Sequence, residues 1–385
     1  MPLDFGFSDE QSSLRSYVQG IANEIRPGLR EWDAKEEMPW QAIEKMGQAG
    51  LLGLIGLKNL GGRQLDYISL GVAIEELAKV DTSCAMICSM QNTLTTLTPG
   101  WDDDDIRDVY QGKKLVCIAT SEEEAGSDVT NLKTNARVEG DEYVINGEKI
   151  HVSLMPGASV MGVTVQVTEG NQPPRIEFVK VPAAASGVTC ELMPEMGMRS
   201  HQLGRVRFNE VRINRDSLLG GEKGKREGKA VLYARWNVSR CLSALNALGT
   251  AIGVLDQTIE FVKKKQVYGK SIAHYQSIQF PLVEHYTRVE ACRLLAYKGL
   301  WMNVRGENAA REATMAKWYG VTLAVDAIKD CLQMFGAAGY LIDRDVERRF
   351  RDAVGLMFTG GTVNIMKLIV VRELLGKQFM GIERA

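Results

Sequence analysis

The apolar residues of this chain change their spacing twice, and that double change limits the folds open to it. Up to about residue 115 they recur at helical intervals: Leu14, Val18, Ile21 and Ile25, then Ile43 and Met46, then Leu70, Ala73 and Leu77. From Leu115 onward β-branched alternation takes over, in Val160 to Val167, Ile176 to Val181 and Val206 to Ile213. Beyond residue 220 the helical interval returns, with Leu242, Leu245, Leu248, Ile252, Leu255 and Ile259 on one stripe. A sequence patterned for one period does not settle into the other. The chain therefore reads as α+β: an N-terminal helical domain over 1–115, a middle β domain over 116–220 and a C-terminal helical bundle over 221–385. A length of 385 residues suits such a division, since single cores stop growing near that size.

Local signals mark element ends. Ser8-Asp9-Glu10-Gln11 is a capping box. Pro39 suits the first position of a second helix that Gly50 ends. Asn146-Gly147 predicts a two-residue type I′ hairpin, and turns are expected around Gln172-Pro173-Pro174 and from Ala183 to Gly187. Leu218 to Gly224 reads as a glycine-rich linker, followed by helices over 238–262, 276–303, 312–334 and 362–375. Asp102 to Asp105 reads as a solvated helix N-terminus, because consecutive carboxylates point around a helix and not inward together.

Composition excludes several classes of function. A net charge of −2 gives no basic excess to gather phosphate backbones or anionic lipid, so nucleic acid is not an expected partner. The seven cysteines are odd in number and scattered, without CxxC, which suits reduced buried thiols in a cytosol. They and the four histidines lack zinc-ligand spacing, so no metal is expected. With no basic n-region, no apolar h-region and no uninterrupted apolar segment of bilayer length, a cytoplasmic protein without a membrane span is expected.

Neither GxGxxG after a strand nor GxxxxGK[ST] occurs, so a nucleotide must be held some other way. Ala119 to Asp128 offers backbone and hydroxyl donors to an anion or a polar ring edge, and reads equally well as an exposed turn. Thr359-Gly360-Gly361-Thr362 reads either as a helix C-cap followed by an N-cap or as a loop pressed against a ligand.

Ser121-Glu122-x-x-Ala125-Gly126-Ser127-Asp128 followed by Asn146-Gly147-x-Lys149 resembles the signature of the FAD-dependent acyl-CoA dehydrogenase family. The resemblance continues in order through Glu195 to Ser200, Val206-x-Phe208-x-x-Val211 and Arg240. It closes with Lys265-x-x-Tyr268-Gly269-Lys270 and Gln276, then Gln333 to Tyr340 and Arg351-Asp352. It implies a helical domain, a β-barrel-like domain and a four-helix bundle, assembled as a homotetramer that is a dimer of dimers. FAD would lie between the β domain and the bundle. Thr120, Ser121, Ser127, His151 and Ser153 would flank the flavin ring. Lys265, Tyr268, Gln276, Gln333 and Gly336 would meet the FAD tail from a neighbouring subunit, with Thr362 and Asn364 near it. The acyl thioester, on coenzyme A or an acyl-carrier protein, would sit by Ser127, Arg240 and Gly361, and an electron-transferring flavoprotein would accept the electrons.

Departures from that pattern sharpen the expectation. His151 stands where the family has tryptophan, either as a proton carrier beside the flavin or as a smaller ring filling the place. Lys265 replaces an arginine and grips phosphate with less directional hold. Gly360 falls on the glutamate that removes the α-proton, and Ser239 falls on the place where some relatives carry it instead. Neither is a carboxylate, and the catalytic base is left unassigned; Cys84 to Thr96, expected to border the acyl pocket, offers Gln91 and Asn92 and no acid. The expected function is FAD-dependent dehydrogenation of an unusual acyl thioester, such as a cyclic or activated one. The alternatives are a flavin monooxygenase on the same fold and a non-catalytic thioester-binding or assembly subunit.

Overall fold

A computed structural model describes residues 6–128, 131–171 and 173–380, with the backbone alone over 221–234. Gln172, in one of the expected turns, lies outside the described residues.

The first unit is helical: α1 (Asp9–Ile25), α2 (Leu29–Lys35), α3 (Trp40–Gln48), α4 (Tyr67–Ala78), α5 (Thr82–Leu97) and α6 (Asp103–Tyr110). The capping box forms in full, with Gln11 N–H donating to Ser8 Oγ (3.2 Å) and Ser8 N–H to Gln11 Oε1 (3.1 Å). α3 begins one residue after Pro39, and α2 is a short extra helix that the apolar spacing did not reveal. Asp103, Asp104 and Asp105 fill the first turn of α6, where the helix dipole favours them. α5 is enclosed although it is polar. Asn92 receives the Ile55 N–H and donates to the Leu51 and Cys88 carbonyls, while Gln91 exchanges two 3.0 Å bonds with the backbone of Val116. Those two amides join α5 to its surroundings.

The middle unit is one curled seven-stranded sheet of β1 (Val116–Ala119), β2 (Asn135–Glu139), β3 (Glu142–Ser153), β4 (Val160–Thr168), β5 (Arg175–Pro182), β6 (Val188–Met193) and β7 (Leu203–Asn214). The order is β1-β4-β2-β3-β7-β6, with β5 on β4. The expected Asn146-Gly147 hairpin is not there. Both residues lie inside β3, at a register irregularity against β7, and the turn is made by Gly140 and Asp141 between β2 and β3. Asn146 instead bonds Glu210, accepting its N–H at 3.0 Å and donating to its carboxylate at 2.7 Å. Gly147 is required for a different reason: at φ +141° it passes so close that a Cβ would lie 2.6 Å from Thr134 Cα.

The last unit holds α7 (Gly221–Lys264), a short β8 (Gln266–Val267) and β9 (Lys270–Ser271) hairpin, α8 (Gln276–Val304), α9 (Ala310–Phe335), α10 (Val346–Leu356) and α11 (Val363–Leu375). The expected linker is shorter than its glycines suggested, because 221–224 are already helical. α7, α8 and α9 pack on one another and α11 packs on α9. Residues 235–264 of α7 are long and apolar enough to cross a bilayer, but 78% of the most apolar window is buried, as the central helix of this bundle. All seven cysteines are free, and only Cys190 is partly exposed. No cluster of metal-ligating side chains occurs among the described residues.

Candidate functional site

The sheet contributes one half of the site. Where β1 ends, the Ile150 N–H donates to the Ser121 carbonyl at 2.9 Å, so Thr120 and Ser121 lie beside the stretch of β3 that carries His151 and Ser153. Beneath this turn the Glu122 carboxylate receives Lys149 Nζ (2.7 Å), Lys133 N–H (2.7 Å) and Thr134 N–H (3.1 Å). Burial raises the Glu122 pKa, but the Lys149 ammonium and these donors outweigh it and hold the group below its usual range. Burial pulls Lys149 down despite the same partner. The pair anchors the turn from below and leaves its upper side open. Thr120, Ser121 and Ser153 are half-buried, Gly126, Ser127 and His151 are exposed, and a Cβ on Gly126 would meet nothing within 4 Å. Hydroxyls and backbone donors on an open edge fit a heteroaromatic ring that presents nitrogen and oxygen acceptors, which is the chemistry of a flavin.

The bundle contributes the other half. Thr362 does cap α11, with the Ile365 N–H donating to its Oγ1 at 3.4 Å. Gly361 has φ +104°, and a Cβ there would lie 2.6 Å from Met366 Cε. Below the loop Lys317, fully buried on α9, donates from Nζ to the Gly361 carbonyl at 2.7 Å and reaches Met357 O at 3.5 Å. Burial, helped by the charge of Arg240, brings the Lys317 pKa down to about 8. Arg240, on α7 and 7% exposed, bonds Asn237 Oδ1 (3.2 Å) and Thr314 Oγ1 (3.4 Å). Ser239 is half-buried beside it. The structure thus brings Arg240 and Gly361 together through Lys317, a residue that apolar spacing alone did not single out. Its signal was a lysine at a core position, between Ala313, Ala316 and Gly320, which are all buried. Glu312, the buried carboxylate one turn before, is held by Lys298 (3.2 Å) and Arg311 (2.9 Å).

The residues expected to meet the FAD tail lie elsewhere. Phe261 stacks on Phe335 with centroids 4.3 Å apart, which joins the C-terminal ends of α7 and α9 and so groups Lys265 and Tyr268 with Gln333 and Gly336. Gln276 opens α8 after the β8–β9 hairpin. Tyr268 is 94% exposed. At 1.5 Å of rise per residue Lys265 is about 37 Å along α7 from Arg240. Thr362 and Asn364 fall beside Gly361, at the thioester end.

A sheet edge of hydroxyls and a glycine loop backed by two buried cations are the two candidate parts of a flavin and thioester site. Models of the N-terminal, middle and C-terminal domains of acyl-CoA dehydrogenases match residues 8–99, 117–211 and 226–375. An acyl-CoA dehydrogenase of Bacillus subtilis is 31% identical, over 96% of this chain and 99% of the relative. The structure of butyryl-CoA dehydrogenase from Megasphaera elsdenii aligns with a TM-score of 0.90 at 25% identity, over 97% of this chain and all of that one. A chain solved in work on the electron-transferring flavoprotein of Acidaminococcus fermentans and flavin-based electron bifurcation aligns equally well, with TM-score 0.90 at 26% identity over 97% of this chain and all of that one. The chain belongs to the acyl-CoA dehydrogenase family. It is an FAD-dependent oxidoreductase acting on CH–CH groups of acyl thioesters.

Proposed function

We propose that this dehydrogenase acts on an acyl thioester that does not depend on a loop glutamate for loss of its α-proton, such as a cyclic or otherwise activated acyl group carried on coenzyme A or an acyl-carrier protein. The observation that carries this reading is the pair of non-acidic residues Gly360 and Ser239, backed by two buried cations, Arg240 and Lys317, with no carboxylate at either place. When bound, FAD supplies the hydride acceptor. Thr120, Ser121, Ser127, His151 and Ser153 would hold its ring, with the turn fixed by Glu122 and Lys149. Arg240 and Lys317 favour negative charge developing on the thioester, and a substrate with an already acidic α-proton needs no strong base.

The same reading extends to assembly. The expected FAD-tail residues, Lys265, Tyr268, Gln276, Gln333 and Gly336, lie too far along the bundle to serve the ring of their own subunit, which favours a site shared between subunits in a homotetramer. Phe280, Val283, Leu294, Trp301 and Val304 leave an apolar face of α8 exposed for such contacts. The three units would meet near residues 115 and 220, and an electron-transferring flavoprotein is the proposed acceptor, in keeping with the context of the Acidaminococcus fermentans chain.

Anaerobic bleaching of the purified yellow protein with straight-chain, branched and cyclic acyl thioesters tests the reading. Bleaching by the cyclic or activated esters is expected. Fast bleaching by a simple straight-chain ester would overturn the claim of a vacant base, and a protein that binds no FAD would favour the non-catalytic alternative.

A further inference from the structure

His151 owes its position to a bulge in β3. Lys149 pairs with Val206 and Val152 with Gly204, so three steps along β3 match two along β7, and β3 carries an extra residue. The bulge shows in burial: Lys149 and Ile150 are both buried, His151 is exposed, and Val152 is buried again. His151 takes φ +53°, in the left-handed region that glycine fills at no steric cost. At the same point the Ile150 N–H meets the Ser121 carbonyl at 2.9 Å, which sets His151 beside the turn that carries Thr120 and Ser121. Bulges re-aim side chains and gather next to active sites. Among the described residues the imidazole makes no hydrogen bond and no ion pair, so the protein itself makes no use of the ring.

The charges around it are already matched. On β7 Arg205, opposite the bulge, is bound by the Glu148 carboxylate and lies 3.7 Å from Glu123, while Arg207 meets Glu148 at 2.7 Å and Glu191 at 3.3 Å. In the turn Glu122 faces Lys149 and Glu124 meets Lys133, both at 2.7 Å. β1 offers only the buried Cys117, and β2 pairs with β3 at its far end, over Glu142 to Asn146. Past Leu154, whose N–H meets the Gln202 carbonyl, Arg199 lies 3.7 Å from Glu36. A proton gained by His151 therefore adds net positive charge to this edge of the sheet.

We propose that His151 couples reduction of the bound flavin to pH, its imidazolium standing at the edge of the ring and favouring the negative charge that hydride transfer leaves there. A hydride brings two electrons and one proton to a neutral ring, so one negative charge is gained. His151 takes a second proton from solvent and offsets that charge. Histidine is the side chain whose charge ordinarily changes between pH 5 and 8, and opposite charges close together favour each other's charged form. This inference rests on the FAD reading above.

The test compares the reduction potentials of FAD-loaded wild type, His151→Asn and His151→Lys, without thioester, at about pH 5.5 and about pH 9, near and beyond the two ends of the usual histidine range. Asparagine tolerates the left-handed backbone and is never charged, while lysine stays charged at both pH values. The wild type should match His151→Asn at the higher pH and favour reduced FAD at least about tenfold more at the lower, a two-electron shift of about 30 mV. His151→Lys should lie above His151→Asn at both. By reciprocity the nitrogen NMR titration of His151, recognised by its loss in His151→Asn, should move up by about one pH unit when the flavin is reduced. Equal potentials for wild type and His151→Asn, or a difference that does not change with pH, in proteins that melt alike and keep FAD, would overturn the inference and leave the flavin reading intact. A protein that binds no FAD would overturn the flavin reading as well.

Discussion

At Gly360 space and backbone make opposite demands. A Cβ there would meet nothing within 4 Å, so a side chain has room, yet φ is +66°, where non-glycine residues are strained by roughly 1–2 kcal/mol. Gly360→Glu should therefore lower the melting temperature by a few degrees and still raise desaturation of a straight-chain acyl-CoA by tenfold or more, given that a positioned base contributes on the order of 10²–10⁴. A stable variant with no gain would mean that the loop no longer faces the α-carbon. Lys317 acts on the same loop from below. Lys317→Met keeps the bulk but removes the bond to the Gly361 carbonyl, and a misplaced loop should reduce kcat by at least about tenfold with a smaller change in KM. Faster amide hydrogen exchange at residues 359–362 would show that the loss is one of position. The sequence made the loop readable because glycine pairs are conspicuous. It hid Lys317, whose burial is a property of the packed bundle and leaves no periodic trace.

Among the elements, β3 runs unbroken through the place where a turn was expected. Asn146-Gly147 favours a type I′ hairpin in isolation, but here Asn146 spends its amide on Glu210 and Gly147 admits the close passage of Thr134, so tertiary contacts override the local preference. Three residues further on, Lys149 carries the link between strand and cofactor turn. With Lys149 fully buried and Glu122 only 6% exposed, removing one partner strands the other charge. Lys149→Met should destabilise the protein by about 3 kcal/mol and weaken FAD retention. The double variant with Glu122→Gln should recover most of the stability, because both charges are then gone. Retention of FAD and of the melting temperature in Lys149→Met alone would refute the anchoring role. Helices were legible wherever an apolar stripe ran their length, as in α7, and illegible where they were short, as in α2.

For the whole molecule, the order of helical, sheet and helical units followed from the two changes of period, but the way the units lock together did not. They meet at the turn around Met198, whose N–H donates to Asp352 Oδ1 at 2.6 Å, while Arg351 bonds Asp33 at 2.7 Å and the Met196 carbonyl at 2.9 Å. Gly197 is obligatory there, since a Cβ would lie 2.2 Å from the Arg351 carbonyl carbon. This junction gathers acids. Burial, with Asp352 and Glu36 nearby, pushes Glu195 up to about 8, and burial, opposed by Arg348 and reinforced by Asp81, pushes Asp352 up to about 7. Both groups hold a proton more tightly folded than unfolded, so the stability they contribute is full below about pH 4 and is lost as pH rises through 7 to 8. Glu195→Gln removes the larger shift without changing shape. Its melting temperature should match that of the wild type at pH 5 and exceed it by a few degrees at pH 8.5, where the wild-type carboxyl must ionise against Asp352 and Glu36. A constant difference across that range would mean that Glu195 already carries its charge at the junction, held by groups other than the Leu203 backbone that now meets it.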